Sequence, residues 1–186
     1  AIVPITLSIS NETPLPPAPI AFCDEDGTKD GIRVFNLNNE VSPEVLNGLP
    51  TGLDVNYFSN VNDALAVANA LPNSYSNTTP IEQTIWARIA NGPDCYGIIP
   101  VTLNVNFLEV PGFDNEEKIV CEGLNSITLS VPSGVESYLW NDVDASTTSS
   151  IIVSTAGIYT VTVTDLNGCS DSKTFDVKAS GAATIT

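Results

Sequence analysis

Apolar and polar residues alternate over short stretches along most of the chain, the period expected of strands with one buried face. Ile32-Arg33-Val34-Phe35-Asn36-Leu37, Val55-Asn56-Tyr57-Phe58, Thr84-Ile85-Trp86-Ala87-Arg88-Ile89 and Ile99 to Phe107 predict four strands separated by turn residues. Two short helices are predicted between them. Ser42-Pro43-Glu44 offers an N-cap followed by proline at the first helical position, with Gly48 as the stop, and Asn62-Asp63 opens ALAVANA before Pro72. Val110-Pro111-Gly112 punctuates the pattern, and strands are predicted again at 126–131, 138–140, 151–153, 158–164 and 173–177. Asn167-Gly168 carries a tight hairpin-turn signal just before Cys169.

Residues 1–10, AIVPITLSIS, match 97–106, GIIPVTLNVN, at an offset of 96: Ile2 with Ile98, Pro4 with Pro100, Thr6 with Thr102 and Leu7 with Leu103. Self-similarity at a fixed period marks an array of repeated units. Residues 1–10 are therefore expected to be the last strand of a preceding repeat, and the chain an internal piece of a longer one. Residues 11–20, with Pro14, Pro16, Pro17 and Pro19, read as a semi-rigid linker. Residues 21–109 and 110–180 are expected to form two β-sandwich domains, with 181–186 opening a next segment. The expected fold class is all-β, in tandem immunoglobulin-like sandwiches with short connecting helices. The spacing of Cys121, Trp140, Tyr159 and Cys169 suggests an immunoglobulin-like core, although Tyr159 lies ten residues before the second cysteine rather than two.

Charge narrows the functional classes. The 186 residues hold 6 Lys+Arg, 22 Asp+Glu and no histidine, a formal charge of −16. It divides as 3 − 12 = −9 over 1–109 and 3 − 10 = −7 over 110–186. Six scattered basic residues supply no footprint for nucleic-acid phosphates. Without histidine, the Ser-His-Asp and Cys-His mechanisms and imidazole zinc sites are excluded. No run approaches the 18 or so apolar residues of a membrane-spanning helix, so direct membrane insertion is not expected. Four cysteines, Cys23, Cys95, Cys121 and Cys169, lack C-x-x-C spacing and permit three pairings. Each alternating unit is bracketed by two of them, so sequential pairing is expected, one bond per domain, each stabilising by about 3 to 5 kcal/mol in the chain-entropy model. Bonds of this kind persist in an oxidising compartment. Four free thiols in a cytosolic protein is the competing reading.

The strings CDEDGTKDGIRVFNL at 23–37, YFSN and DALA within 57–66, LPNSYSNTTP at 71–80, QTIWARI at 83–89 and DCYGI at 94–98 together resemble the repeats of very large cell-surface proteins of Bacteroidota. These are adhesins of the gliding-motility type, exported by the type IX secretion system. SYLW at 137–140, AGIYTVTVTD at 156–165 and NGC at 167–169 resemble the PKD or immunoglobulin-like module that commonly stands near their C-terminal sorting domain. The resemblance implies an extracellular, cell-surface location, outer-membrane-associated through regions outside this sequence.

The most pointed chemical feature is Asp24-Glu25-Asp26-Gly27-Thr28-Lys29-Asp30-Gly31. Carboxylates at Asp24, Asp26 and Asp30, with glycines allowing a sharp fold, would gather oxygen ligands for calcium, with Asp63 a further ligand. The string departs from the EF-hand pattern, since twelve places from Asp24 stands Phe35 and not glutamate. A solvated acidic turn is the competing reading. Asp63 would equally complement a helix dipole. Asp114-Asn115-Glu116-Glu117, between the two domains, reads as an exposed acidic linker, with a bracing calcium the weaker alternative. Trp86 and Trp140 are expected in the core, and Tyr75, among polar neighbours, on the surface. Asn11-Glu12-Thr13 and Asn77-Thr78-Thr79 satisfy the N-glycosylation sequon, a pattern short enough to arise by chance. No pair of carboxylates is singled out as an acid and base, so no enzymatic activity is expected. The chain is expected to be a structural or adhesive segment of a secreted surface repeat protein. Its partners would be neighbouring repeats of the same chain and a surface polysaccharide or other extracellular ligand. A carbohydrate-binding accessory module of a secreted polysaccharide-degrading enzyme is the alternative.

Overall fold

The computed structural model describes residues 14–121 and 125–180. The expected strand at 1–10, the sequon at Asn11 and the segment 181–186 lie outside the described residues. The chain divides between Asn106 and Phe107 into two units. The first contains β1 (Ile20–Cys23), β2 (Val34–Asn36), a π-helical turn (Leu37–Val41), α1 (Ser42–Val45), β3 (Asp54–Phe58), α2 (Val61–Ala66), β4 (Ser74–Ser76), β5 (Glu82–Asn91) and β6 (Asp94–Asn106). The second contains β7 (Glu116–Val120), β8 (Ile127–Ser130), β9 (Ser137–Trp140), β10 (Ser150–Val153), β11 (Gly157–Thr164) and β12 (Ser170–Ala179).

Both units have one strand order. A four-stranded sheet runs β1-β6-β5-β3 in the first and β7-β12-β11-β9 in the second, and a two-stranded sheet is β2-β4 in the first and β8-β10 in the second. In each four-stranded sheet the first strand among the described residues of the unit lies parallel to the last, and the other pairings are antiparallel. This is the order of an immunoglobulin-like sandwich, with the C, F and G strands in one sheet and B and E in the other. The all-β expectation holds.

Burial follows the strand period. Ile85, Ala87 and Ile89 of β5 and Ile99, Val101, Leu103 and Val105 of β6 point into the first core, where Phe35, Leu37, Val41 and Tyr57 join them. In the second, Trp140 stacks on Phe175 with ring centroids 5.8 Å apart, among Leu129, Val161, Val163 and Val177. The Trp140 indole donates to the Thr148 carbonyl at 2.8 Å, which satisfies its one polar atom inside the core.

Three strands were not legible in the sequence. β1 falls in and after the Pro-rich stretch, β7 contains Glu116, Glu117 and Lys118, and β4 is three residues long. β1 and β7 are edge strands, where charge and proline are tolerated and apolar alternation fades. α2 begins at Val61, not Asn62, because the Asn60 side chain caps it by accepting from the Asp63 amide at 2.9 Å.

Candidate functional site

Cys23 and Cys169 are each disulfide-bonded, whereas Cys95 carries an exposed free thiol and Cys121 a half-buried one. The expected sequential pairing, Cys23 with Cys95 and Cys121 with Cys169, is therefore corrected, and strand register supplies the reason. Cys23 lies beside Asn106, the last residue of β6, while Cys95 is the second residue of that strand. At about 3.3 Å per residue, the eleven positions from 95 to 106 separate Cys23 from Cys95 by roughly 36 Å. A disulfide needs Cα atoms within about 7 Å. In the second unit Val120 lies beside Ala179 at the end of β12, whereas Cys169 precedes its first residue, Ser170. Ten positions, roughly 33 Å, separate them. Cysteines that bracket a unit in sequence are driven to its opposite ends because the first and last strands are parallel.

The acidic string leaves β1 directly: the Asp24 amide donates to the Asn106 carbonyl at 2.7 Å, extending the pairing with β6 by one residue. Asp24, Asp26 and Asp30 converge, each offering a carboxylate oxygen within 4.8 Å of the others. Asp24 is half-buried and the other two are exposed. Local hydrogen bonds shape the loop. Asp24 Oδ2 accepts from the Gly31 amide at 2.9 Å, Asp26 Oδ1 from the Thr28 amide and hydroxyl at 2.8 and 2.7 Å, and Asp30 Oδ1 from the Ile32 amide at 2.9 Å. The Thr28 hydroxyl, then the Thr28 amide, hold the Asp26 carboxyl below the usual carboxylate range. Gly31 has φ of +74°, and a Cβ there would come within 2.7 Å of the Ile81 nitrogen, so only glycine closes this loop. Asp24 Oδ1 is buried with no hydrogen-bond partner among the described residues. Three hard oxygen donors, one of them orphaned, fit calcium chemistry. Asp63 is not part of this cluster. Its carboxylate accepts from the Asn60 and Asn69 side-chain amides at 2.7 and 3.1 Å beside the start of α2.

Asp114 is exposed, and Asn115 is no ligand, since its Oδ1 accepts from the Thr174 amide at 2.8 Å. Glu116 and Glu117 are strand residues of β7 whose carboxylates face lysines of their own unit. Glu116 pairs with Lys118 and, at 3.4 Å, with Lys173, while Glu117 pairs with Lys178 at 2.6 Å. The hydrogen bond from Lys118 is the largest cause of the lowered Glu116 pKa. Lys173 is nearly buried, with its ammonium 4.8 Å from the Phe175 ring centroid.

Two aromatic expectations change. Tyr75 is buried, because β4 alternates and its middle residue faces Phe35 across the β2-β4 pair. Trp86 is only half-buried and lies on the face of β5 opposite Ile85 and Ala87, in register with Phe58 and Pro100 where α2 packs over the sheet. Asn77 is 3% exposed and fully engaged: its Oδ1 accepts from the Arg33 amide at 2.8 Å, and its Nδ2 donates to the Gly31 and Thr79 carbonyls at 2.8 and 2.9 Å. A glycan on this sequon has no room. A surface groove of about 480 Å³ runs between Leu15–Ala18 and the α1 end, lined by Glu44, Val45, Asn47 and Leu49. Glu44 is the one ionisable group among these lining residues, and an adjoining groove along Pro17–Phe22 adds Glu40.

Among the described residues no helix is long and apolar enough to cross a membrane. Sequence comparison with curated proteins finds no match. Among solved structures, the immunoglobulin domain IG1 of Dpr11, bound to DIP-gamma, aligns at 10% identity over 69% of this chain and 84% of that one, with a TM-score of 0.32. The N-terminal eight immunoglobulin domains of the Down Syndrome Cell Adhesion Molecule align at 12% identity over 81% of this chain and 23% of that one, TM-score 0.28. A Bacteroides ovatus protein, SGBP-B of the mixed-linkage glucan utilization locus, in complex with a mixed-linkage heptasaccharide, aligns at 12% identity over 89% and 44%, TM-score 0.26. Alignments this loose carry no argument about what the chain does. Residues 19–109, which hold β1 to β6, match the family described as the Flavobacterium inter-domain disulphide bond domain, and it is this family that the first unit is similar to.

Proposed function

We infer that the chain is a non-catalytic structural and adhesive segment of a secreted cell-surface repeat protein, in which consecutive sandwich units are joined by a disulfide from Cys23 to Cys169. One observation carries this reading: of four cysteines the two bonded ones belong to different units, and the two left in those units are free. The register within each unit supports it. Cys23 sits at the end of β6, where the chain leaves the first unit. Cys169 heads β12, the end at which residues 112 and 115 are held by Lys173 and Thr174 as the chain comes in. An oxidised bond fits a location outside the reducing cytosol. An acidic surface keeps a long array soluble and self-repelling. The similarity of the first unit to a family named for an inter-domain bond points the same way. In this reading Asp24, Asp26 and Asp30 hold calcium beside Cys23, bracing the point where the chain turns away from β6.

The test is made on cells that produce the protein. Antibody against the chain should label intact cells, and deletion of residues 14–180 should reduce attachment to surfaces without slowing growth. Unlabelled intact cells with undiminished attachment overturn the reading. Tight binding of the purified chain on a glycan array transfers it to the carbohydrate-module alternative.

A further inference from the structure

The two units share a cysteine plan as well as a strand order. In each, the first strand ends at a cysteine: Cys23 is the last residue of β1, and Cys121 directly follows β7. In each, the last strand begins at one: Cys95 is the second residue of β6, and Cys169 directly precedes β12. Because first and last strands are parallel, the leading cysteine lies where the chain leaves its unit and the second cysteine at the hairpin end where the chain arrives. Pro14 packs against Gly97 at that arriving end of the first unit, so closely that a Cβ on residue 97 would come within 2.3 Å of the Pro14 ring. The Ser180 amide donates to the Val120 carbonyl at the departing end of the second, beside Cys121.

Equivalent positions in one fold have equivalent reach. A leading cysteine, Cys23, and a hairpin cysteine, Cys169, are bonded; the other leading cysteine, Cys121, and the other hairpin cysteine, Cys95, are free. We propose that Cys95 and Cys121 are the bonding sites for further sandwich units of the same kind, Cys95 toward the unit before and Cys121 toward the unit after. A second copy of this chain satisfies the same rule head to tail, through Cys121 of one copy and Cys95 of the next. The inference rests on the inter-unit bond proposed above and adds the partner and its sulfur atoms. Such a contact is heterologous, so successive links extend head to tail into a filament, or into a ring where the rotation per link closes.

Glutathione disulfide is the oxidant. The Cys95 thiolate displaces one glutathione to form a mixed disulfide, and the Cys121 thiolate of a second copy attacks the Cys95 sulfur and expels the other. Each link consumes one glutathione disulfide and yields two glutathione thiols, which take up the protons of the two cysteines.

The experiment mixes two variants of the oxidised chain, Cys95→Ser and Cys121→Ser, with glutathione disulfide, and follows products by non-reducing electrophoresis and disulfide-peptide mapping. The mixture should give a covalent dimer, twice the chain mass of 19.6 kDa, at ten-fold or greater yield over either variant alone. The native chain should form a ladder linked Cys95 to Cys121. Dimer yields equal in the mixture and in the single variants, or glutathionylated monomers alone, overturn the inference. A Cys23–Cys169 peptide found intact in those same digests confines that failure to the present inference, whereas its absence overturns the inter-unit bond beneath it.

Discussion

The bond proposed from Cys23 to Cys169 would remove almost the whole molecule from the path of an applied force, and the effect is large enough to measure on single chains. Pulled from its two ends, a chain of 186 residues extends to about 650 Å at roughly 3.5 Å per residue. The bond short-circuits residues 24–168, which is 169 − 23 − 1 = 145 residues. Only 186 − 145 = 41 residues remain in the pulled path, and two of these are the linked cysteines themselves. The oxidised chain should therefore stop extending near ~140 Å even after both sandwiches have come apart, and about 500 Å of contour should appear when a phosphine reductant is added. Cys23→Ser should extend fully without reductant. Force spectroscopy on chains tethered at both termini reads these lengths directly. Sequential bonds would hide 71 and 47 residues and leave 186 − 71 − 47 = 68, a limit of roughly 240 Å. An oxidised limit near 240 Å, or one near 650 Å, refutes the reasoning. For a surface filament the consequence is mechanical: a unit that loosens under load cannot pay out its length.

Three further outcomes are expected. If calcium binds at Asp24, Asp26 and Asp30 with the ~0.1–1 mM affinity of extracellular modules, 2 mM calcium stabilises the first unit by about 0.6 to 1.8 kcal/mol. Thermal unfolding should show this, EGTA should reverse it and Asp26→Ala should abolish it, whereas an unchanged melting temperature across millimolar calcium removes the metal from the account. Burial pushes the Tyr57 phenol up to about 12 from the ordinary 10.0, against the hydrogen bond with Ser42 at 3.0 Å. The neutral form is what the fold favours, so this contribution is fully present below pH 10 and is lost as pH rises from 10 through 12, by about 2.7 kcal/mol at most. Tyr57→Phe should flatten that alkaline loss in denaturant titrations, and parallel losses in both proteins would contradict it. Asn77→Ala strands the Arg33 amide and the Thr79 carbonyl and leaves the Gly31 carbonyl with the Ile81 amide alone, and should cost the first unit about 2 to 4 kcal/mol in urea unfolding. A cost under ~0.5 kcal/mol would show that water replaces the asparagine.

Strand alternation determined most of the fold from sequence alone. Ile85, Ala87 and Ile89 announce a buried face because a side-chain period of two is a local property, readable without knowing what the strand pairs with. The convergence of Asp24, Asp26 and Asp30 was legible for a similar reason, since all three lie within seven residues around Gly27. Cysteine pairing was not local. Cys23 precedes the first antiparallel strands and Cys95 opens the last, and nothing in the sequence says that β1 lies parallel to β6, which sends them to opposite ends. The same blindness hid β1 and β7 themselves: an edge strand is defined by its neighbour, and its charges and prolines read as linker. Tyr75 looked like a surface residue because its polar neighbours Ser74 and Ser76 were counted, and only the β2-β4 pairing turns it toward Phe35. Sequence determined which segments are strands and where carboxylates gather; the tertiary structure decided which ends meet, because parallel or antiparallel docking depends on residues far apart in the chain.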